Sequence, residues 1–297
     1  MESKKSSLLS RRQALKSIAA ITAGSLIKPT SLFATANARS KTRFAVMGDF
    51  GTGGSDEVAI AQCMAEMHRQ SSIEFVLGAG DNIYPNGAGH LFAKNFEQPF
   101  ADLLREPVKF YTVLGNHDVE AGRRDQMHYS LFNMNGANYY SIGRGNGLVD
   151  FFMLDSTDFD NEQTNWFENQ LTQSKALWKI AVFHHPIYSS GKKHGSDTRL
   201  RARIEPLLKK HRVQVVFSGH DHVYERMKPQ DGIQYFVSGG AGKVRRGDIR
   251  QDSEISAASF DDDNHFMLIE LDEKEIAFKA IAKSGAVIDS GVIRQQE

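Results

Sequence analysis

From Arg43 onward the chain alternates between short apolar runs and amphipathic stretches, and each apolar run stops at glycine, aspartate or histidine. RFAVMGD, IEFVLGAGD, VKFYTVLGNHD, LVDFFMLDS, KIAVFHHP and VQVVFSGHDH read as buried strands that deliver the chain to polar loops. Between them, apolar spacing predicts helices at about 55–70, 90–104, 164–175 and 198–211. Toward the C-terminus the period shortens to two, and IQYFVSGG, HFMLIELD, EIAFKAIA and AVIDSGVI alternate as hairpin strands do. Strand–helix alternation followed by a β-rich tail predicts an α/β fold with two sheets packed together and flanked by helices. No repeat, low-complexity segment or long linker divides this stretch, so a single domain is expected over 39–297.

The N-terminal segment follows another pattern. It has a basic start, a mild apolar stretch from Ile18 to Ile27, and small residues at Ala36 and Ala38. That is the layout of a cleavable export signal over 1–38, and its apolar stretch is too short to span a bilayer. SRRQALK, from Ser10 to Lys16, resembles the twin-arginine signal, with Ala14 where that pattern usually carries an aromatic residue or Leu. A generic Sec signal is the alternative. The twin-arginine reading makes the export machinery a partner and implies a bacterial protein, periplasmic or secreted, with no stable membrane anchor once mature. Such export carries chains already folded, often with metal loaded.

Composition is that of an ordinary soluble globular chain: 297 residues, 40% hydrophobic, with Lys+Arg and Asp+Glu equal at 36 each. The balance argues against a nucleic-acid-binding surface or a polybasic membrane patch, so any anion must be held by a local site. Cys63 is the only cysteine, which excludes an intrachain disulfide. It sits in DEVAIAQCMAEMHRQ, where helical spacing favours a buried, inert thiol.

Chemistry collects where the strands end. Polar residues at the carboxyl ends of neighbouring strands in an α/β sheet converge on one crevice. Here GDFG supplies Asp49; GDNIY supplies Asp81 and Tyr84; GNHD supplies Asn116, His117 and Asp118; FHHP supplies His184 and His185; GHDH supplies His220 and His222. Five of the eleven histidines fall in these loops. Taken singly, each could be structural, and Asp81 with Tyr84 could form an Asx-turn capped by a core tyrosine. Together, imidazole, carboxylate and amide oxygen are ligands for first-row metals.

The ordered set GDFG, GDNIY, GNHD, AVFH and GHDH resembles that of the purple acid phosphatases, within the calcineurin-like metallophosphoesterases. The likeness is to the small, tartrate-resistant type and covers roughly residues 43–243. It implies a four-layer αββα sandwich of two mixed sheets between helices. It also implies an acid phosphatase that hydrolyses phosphomonoesters, small-molecule phosphate esters being the substrates. Asp49, Asp81, Tyr84 and His222 would hold Fe³⁺. Asp81 would bridge to a second, divalent metal (Fe²⁺, Zn²⁺ or Mn²⁺) completed by Asn116, His184 and His220. Two such metals bind phosphate oxygens and lower the pKa of a bound water, giving a hydroxide for in-line displacement. The phenol suits a trivalent ion: the metals supply about +5, and Asp49, Asp81, Tyr84 and a bridging hydroxide about −4. His117 and His194 match the two non-ligand histidines that orient substrate and protonate the leaving group. His185 has no implied role, and Ala181 replaces a usual valine in the fourth motif.

The stretch STDFDNEQTN is brief where mammalian relatives carry an inhibitory, protease-clipped loop, which implies activity without trimming. VSGGAGKVRRG (237–247) is either a tight turn or a glycine loop that brings Lys243, Arg245 and Arg246 near substrate. A phosphodiesterase or nucleotidase on the same centre is the alternative activity. A non-catalytic or redox-active exported metal protein is the alternative class, disfavoured because metal storage needs neither His117 nor His194.

Replacing Arg11 and Arg12 together by Lys should hold the precursor in the cytoplasm, as read by fractionation and immunoblotting. Undiminished export of that variant would return the signal to the Sec class.

Overall fold

The computed structural model describes residues 41–295, so the expected export signal lies outside the described residues. The chain lays down β1 (Thr42–Met47), β2 (Phe75–Gly78) and β3 (Lys109–Thr112) side by side and parallel. It then builds a second sheet from β4 (Tyr140–Arg144), β5 (Val149–Met153), β6 (Trp178–Val182), β7 (Val215–Ser218), β8 (Tyr224–Met227), β9 (Gln234–Ser238) and β10 (Ser256–Phe260). Finally β11 (His265–Leu271), β12 (Glu275–Ala282) and β13 (Val287–Arg294) return to the first sheet as antiparallel hairpins, β11 pairing with β1. The orders are β13-β12-β11-β1-β2-β3 and β10-β8-β9-β7-β6-β5-β4. Both sheets are mixed, with β5, β6, β7 and β9 parallel in the second.

Among the described residues six α-helices accompany them: α1 (Ser55–Gln70), α2 (Ala101–Arg105), α3 (Asp118–Ala121), α4 (Arg123–His128), α5 (Asn161–Gln173) and α6 (Thr198–Lys210). Period-two geometry sorts the strand residues into layers. Phe44, Val46, Phe75 and Leu77 face inward onto Phe151, Ile180, Val182 and Phe217 of the second sheet. Phe44 stacks on Phe75 at 5.1 Å, and Phe151 presents its edge to both rings at 5.1 and 5.6 Å. The alternate residues Ala45, Met47 and Val76 pack under Ile60 and Met64 of α1. Phe152, Ala181 and Val216 pack under Phe167 and Leu171 of α5 and Ile204 and Leu208 of α6. The result is the expected αββα sandwich.

The short elements β8, α3 and α4 were not expected, and other details also differ from the sequence expectation. The helix expected at 90–104 is broken into a 3₁₀ turn (Gly89–Leu91), a π turn (Ala93–Glu97) and α2. Pro99 lacks the N–H a continuous helix needs, while Phe92, Phe96 and Phe100 still reach the core. The edge strands β4 and β10 were not anticipated, because YSIGR and SAASF are half exposed and carry no apolar run. Cys63 is half-buried rather than enclosed, although burial raises its thiol pKa.

The two sheets are stitched together at the carboxyl ends of their strands. The Gly48 amide donates to Ser238 O (2.8 Å), and His184 Nδ1 lies 2.9 Å from Ala79 O. These contacts bring five polar loops to one place.

Candidate metal centre

Asp49 follows β1 and Asp81 follows β2; their residues are 0% and 1% exposed. Asp49 Oδ2 accepts from the His220 amide (2.7 Å), and Asp81 Oδ1 accepts from the His117 amide (2.9 Å). Each carboxylate therefore anchors a loop from another strand and keeps one oxygen free for the centre. The Asp81 contacts reach across the chain, so the local Asx-turn does not describe this loop. Three donor-bearing residues hold positive φ: 57° at Asp49, 51° at Asp81 and 71° at His220. Each such conformation costs on the order of 1–3 kcal/mol and persists only where the surroundings dictate it.

Tyr84 is 4% exposed, and its hydroxyl sits 3.0 Å from Asp49 Oδ1 and 3.0 Å from Asp81 Oδ2. A hydroxyl has one proton and can donate to only one of them. Burial and then the two carboxylates drive the phenol pKa far up, so a phenolate requires a cation beside it. His222 Nε2 completes this side, 3.2 Å from Tyr84 Oη and 3.3 Å from Asp49 Oδ1.

The other side is built on His184. Its Nδ1 faces a carbonyl, which only accepts, so that nitrogen carries the proton and Nε2 is the free donor atom. Nε2 lies 3.2 Å from Asn116 Oδ1, 3.2 Å from His220 Nδ1 and 3.5 Å from Asp81 Oδ2. Burial opposes charge on this ring, yet Asp81 and Asp49 outweigh it and carry the imidazole up to about 10. Burial and the neighbouring His184, His185 and His194 push His220 down, leaving it neutral with a lone pair to give.

Lone pairs thus converge with too few protons between them, which is the arrangement a cation relieves. Asp49, Asp81 and His184 bring ligand atoms within 4.8 Å of one another. Asp81 Oδ2 approaches both Tyr84 and His184, so the donors form two sets sharing one carboxylate. The residues present fit a pair of metal ions.

His117 and His194 flank this cluster on opposite sides. The His117 ring lies 4.8 Å from the Tyr84 ring, its Nδ1 2.6 Å from Pro85 O. The His194 ring lies 4.1 Å from that of His220. Both line an 80 Å³ cavity with Asp81, Asn116, Lys193, His220, His222 and Arg245. An 840 Å³ cleft bordered by His117, His222, Lys243 and Arg245 lies alongside. The 237–247 segment does approach the centre. The Gly242 amide donates to Asp49 O (2.9 Å), a Cβ there would sit 2.0 Å from Phe50 O, and Lys243 Nζ lies 3.4 Å from the Tyr84 ring centroid.

A calcineurin-like phosphoesterase profile matches residues 42–224, the stretch that contributes every candidate metal ligand described above. The chain belongs to the calcineurin-like phosphoesterase family. It is 32% identical over 237 residues to purple acid phosphatase 17 of Arabidopsis thaliana, covering 69% of this chain and 70% of that one. It is 27% identical to the rat (Rattus norvegicus) tartrate-resistant acid phosphatase type 5 over 304 residues, 88% and 92% of the two chains. Among solved structures, the purple acid phosphatase PPD1 of yellow lupin (Lupinus luteus) superposes with a TM-score of 0.72 at 20% identity, over 87% of this chain and 54% of that one. GAP50, described as the anchor in the inner membrane complex of Plasmodium, superposes with a TM-score of 0.77 at 22% identity, over 86% and 90%.

In this phosphoesterase two neighbours of the centre carried no expected role. His185 lies with its ring 4.5 Å from His220 and its Nδ1 2.9 Å from Ser156 Oγ; the doubled histidine of FHHP was its only signal. Asp118, the last residue of GNHD, is fully buried. Its carboxylate accepts from the amides of Asn82, Ile83 and Gly115 and from the side chains of Asn82 and Gln126, at 2.7–3.1 Å. Burial and the field of Asp81 raise this carboxyl to about 7, while the N–H donors pull the other way. Asp118 ties the loop of Asp81 and Tyr84 to the loop of Asn116 and His117. Asp118→Ala should weaken metal retention roughly 10–100-fold, the usual cost of losing an outer partner of a ligand loop. Chelator competition would read this, and unchanged retention would release Asp118 from that role.

Proposed function

We propose that this phosphoesterase is an exported acid phosphatase that hydrolyses phosphomonoesters at a dinuclear centre pairing Fe³⁺ with a divalent ion. The observation that carries the reading is the position of Tyr84 Oη, 3.0 Å from a carboxylate oxygen of both Asp49 and Asp81. In the set Asp49, Asp81, Tyr84, Asn116, His184, His220 and His222, a buried phenol among carboxylates suits an ion of high charge. When bound, the metal pair supplies positive charge for the phosphate oxygens and acidifies water.

The remaining steps belong to the side chains. Asp81 holds the two donor sets in register through its shared Oδ2. His117 keeps Nδ1–H on Pro85 O, which leaves Nε2 to orient the ester or, when the ring carries its second proton, to hand that proton to the departing alkoxide. His194, against His220, stands on the other side of the cavity, where it can steady the phosphate. Burial, then Arg245 and Lys193, lowers the His194 pKa, which favours a neutral ring that can also take a proton. Since an anchor protein shares the fold, it is His117 and His194 that favour catalysis, because holding metal requires neither. Export rests on the basic, twin-arginine-like N-terminus. Among the described residues no helix is long and apolar enough to cross a membrane.

Protein taken from its exported pool should contain iron and a second metal, with a broad visible band from the phenolate. Tyr84→Phe should keep the fold, abolish the band and shift metal content toward two divalent ions. A colourless, fully active parent with two divalent ions per chain would sink the ferric assignment alone.

His117→Ala should retain both metals and lower turnover roughly 10²–10⁴-fold, as loss of a positioned proton donor does. The deficit should shrink for nitrophenyl phosphate, whose leaving group needs little protonation. A loss equal across leaving groups would assign His117 to phosphate binding instead.

A further inference from the structure

We infer that Asp221 is a positioning residue whose buried carboxylate locks the His194 loop to the loop that carries His220 and His222. The inference rests on the phosphatase reading for the role of His194. Asp221 is 0% exposed and stands between two proposed ligands, yet its side chain turns away from the centre. Its Oδ2 accepts from Ser189 Oγ at 2.5 Å and from the Gly195 amide at 3.1 Å. That amide is the one joining Gly195 to His194. Since the His194 ring rests 4.1 Å from the ring of His220, a closed circuit forms: His220, Asp221, Gly195, His194 and back to His220. A Cβ at Gly191 would lie 2.4 Å from Asp221 Oδ2, so the loop wraps this carboxylate at backbone contact.

The backbone joins Asp221 directly to His220 and His222, so the same residue sets where the proposed ligands and His194 stand relative to each other. Bonds to a charged acceptor are stronger than neutral ones and, in a site closed to water, hold position more stiffly. A displacement of about 1 Å in a group that must meet substrate can cost on the order of 10²-fold in rate. Asp221 would act on catalysis through that distance and would touch no substrate itself.

The test uses Asp221→Ala, Asp221→Asn and Ser189→Ala in the metal-loaded protein. Ser189→Ala removes one bond to Asp221 while leaving the 220–222 side chains intact, so it decides the question if Asp221→Ala loses metal or fails to fold. The first readout is tryptic cleavage after Lys192 and Lys193, which lie in the loop, measured by mass spectrometry against cleavage elsewhere in the chain. Losing a charged hydrogen bond should speed that cut about tenfold or more, selectively. The second readout is kcat/KM on an alkyl phosphate and on nitrophenyl phosphate. Both esters should lose about 10²-fold with metal retained, because the phosphate that His194 steadies is common to them. Asp221→Asn, which keeps an oxygen for the Gly195 amide, should fall between Asp221→Ala and the parent. Parental cleavage in Ser189→Ala and in every Asp221 variant that folds with metal, or parental kcat/KM on both esters, would overturn the inference. If the parent hydrolyses no phosphomonoester, the phosphatase reading fails, and the cleavage pattern still decides whether Asp221 holds the loop.

Discussion

Two carboxylates shut away from water, with a single phenol proton between them, set the terms for everything around them. Burying ionised Asp49 and Asp81 carries a penalty of several kcal/mol for each ion unless positive charge or hydrogen bonds offset it. Hydrogen bonds supply part: the amides of His220 and His117 each satisfy one oxygen. The remaining oxygens, Asp49 Oδ1 and Asp81 Oδ2, face Tyr84, His222 and His184, and the phenol proton can serve only one of them. The charges of Asp81 and Asp49 favour a proton on His184, which accounts for the rise of that imidazole against the pull of burial. A bound cation would displace that proton, so metal uptake and proton release are linked.

Most of this was legible along the chain, for reasons that can be named. Strands buried on both faces are conspicuous, and RFAVMG or VQVVFSG cannot easily be anything else. Their ends were legible only as a set, since a carboxylate or histidine after one such run can be structural, whereas five such ends together are hard to explain by packing. What stayed hidden were relations across the chain. Nothing in GNHD alone says that its final aspartate accepts from Asn82 and Gln126, or that Asp221 turns its back on the histidines beside it. Edge strands such as YSIGR have no burial to write into sequence, and the interruption near Pro99 was masked by a helical spacing of phenylalanines that packing preserves without a helix.

The fold and the chemistry separate cleanly here. The inter-sheet layer around Phe44, Phe75 and Phe151 would serve any chain of this architecture, and an anchor protein of Plasmodium has the same frame. The candidate centre is made by side chains at strand ends. They are held by loop-to-loop bonds rather than by the apolar core, so a core substitution and a loop substitution should fail differently: one melts the frame, the other leaves a folded chain with a misaligned cluster.

The positive φ values at Asp49, Asp81 and His220 narrow the routes by which such a cluster can change. Glycine, asparagine, aspartate and histidine enter that region readily, whereas β-branched residues do so only under strain. A drift from Asp to Asn would discard charge and keep the turn; a drift to Val would forfeit both. The backbone therefore filters substitutions before any ligand does. A descendant that had given up its metals would still be held to a short alphabet at these three positions, and would go on looking like an enzyme long after it had stopped being one.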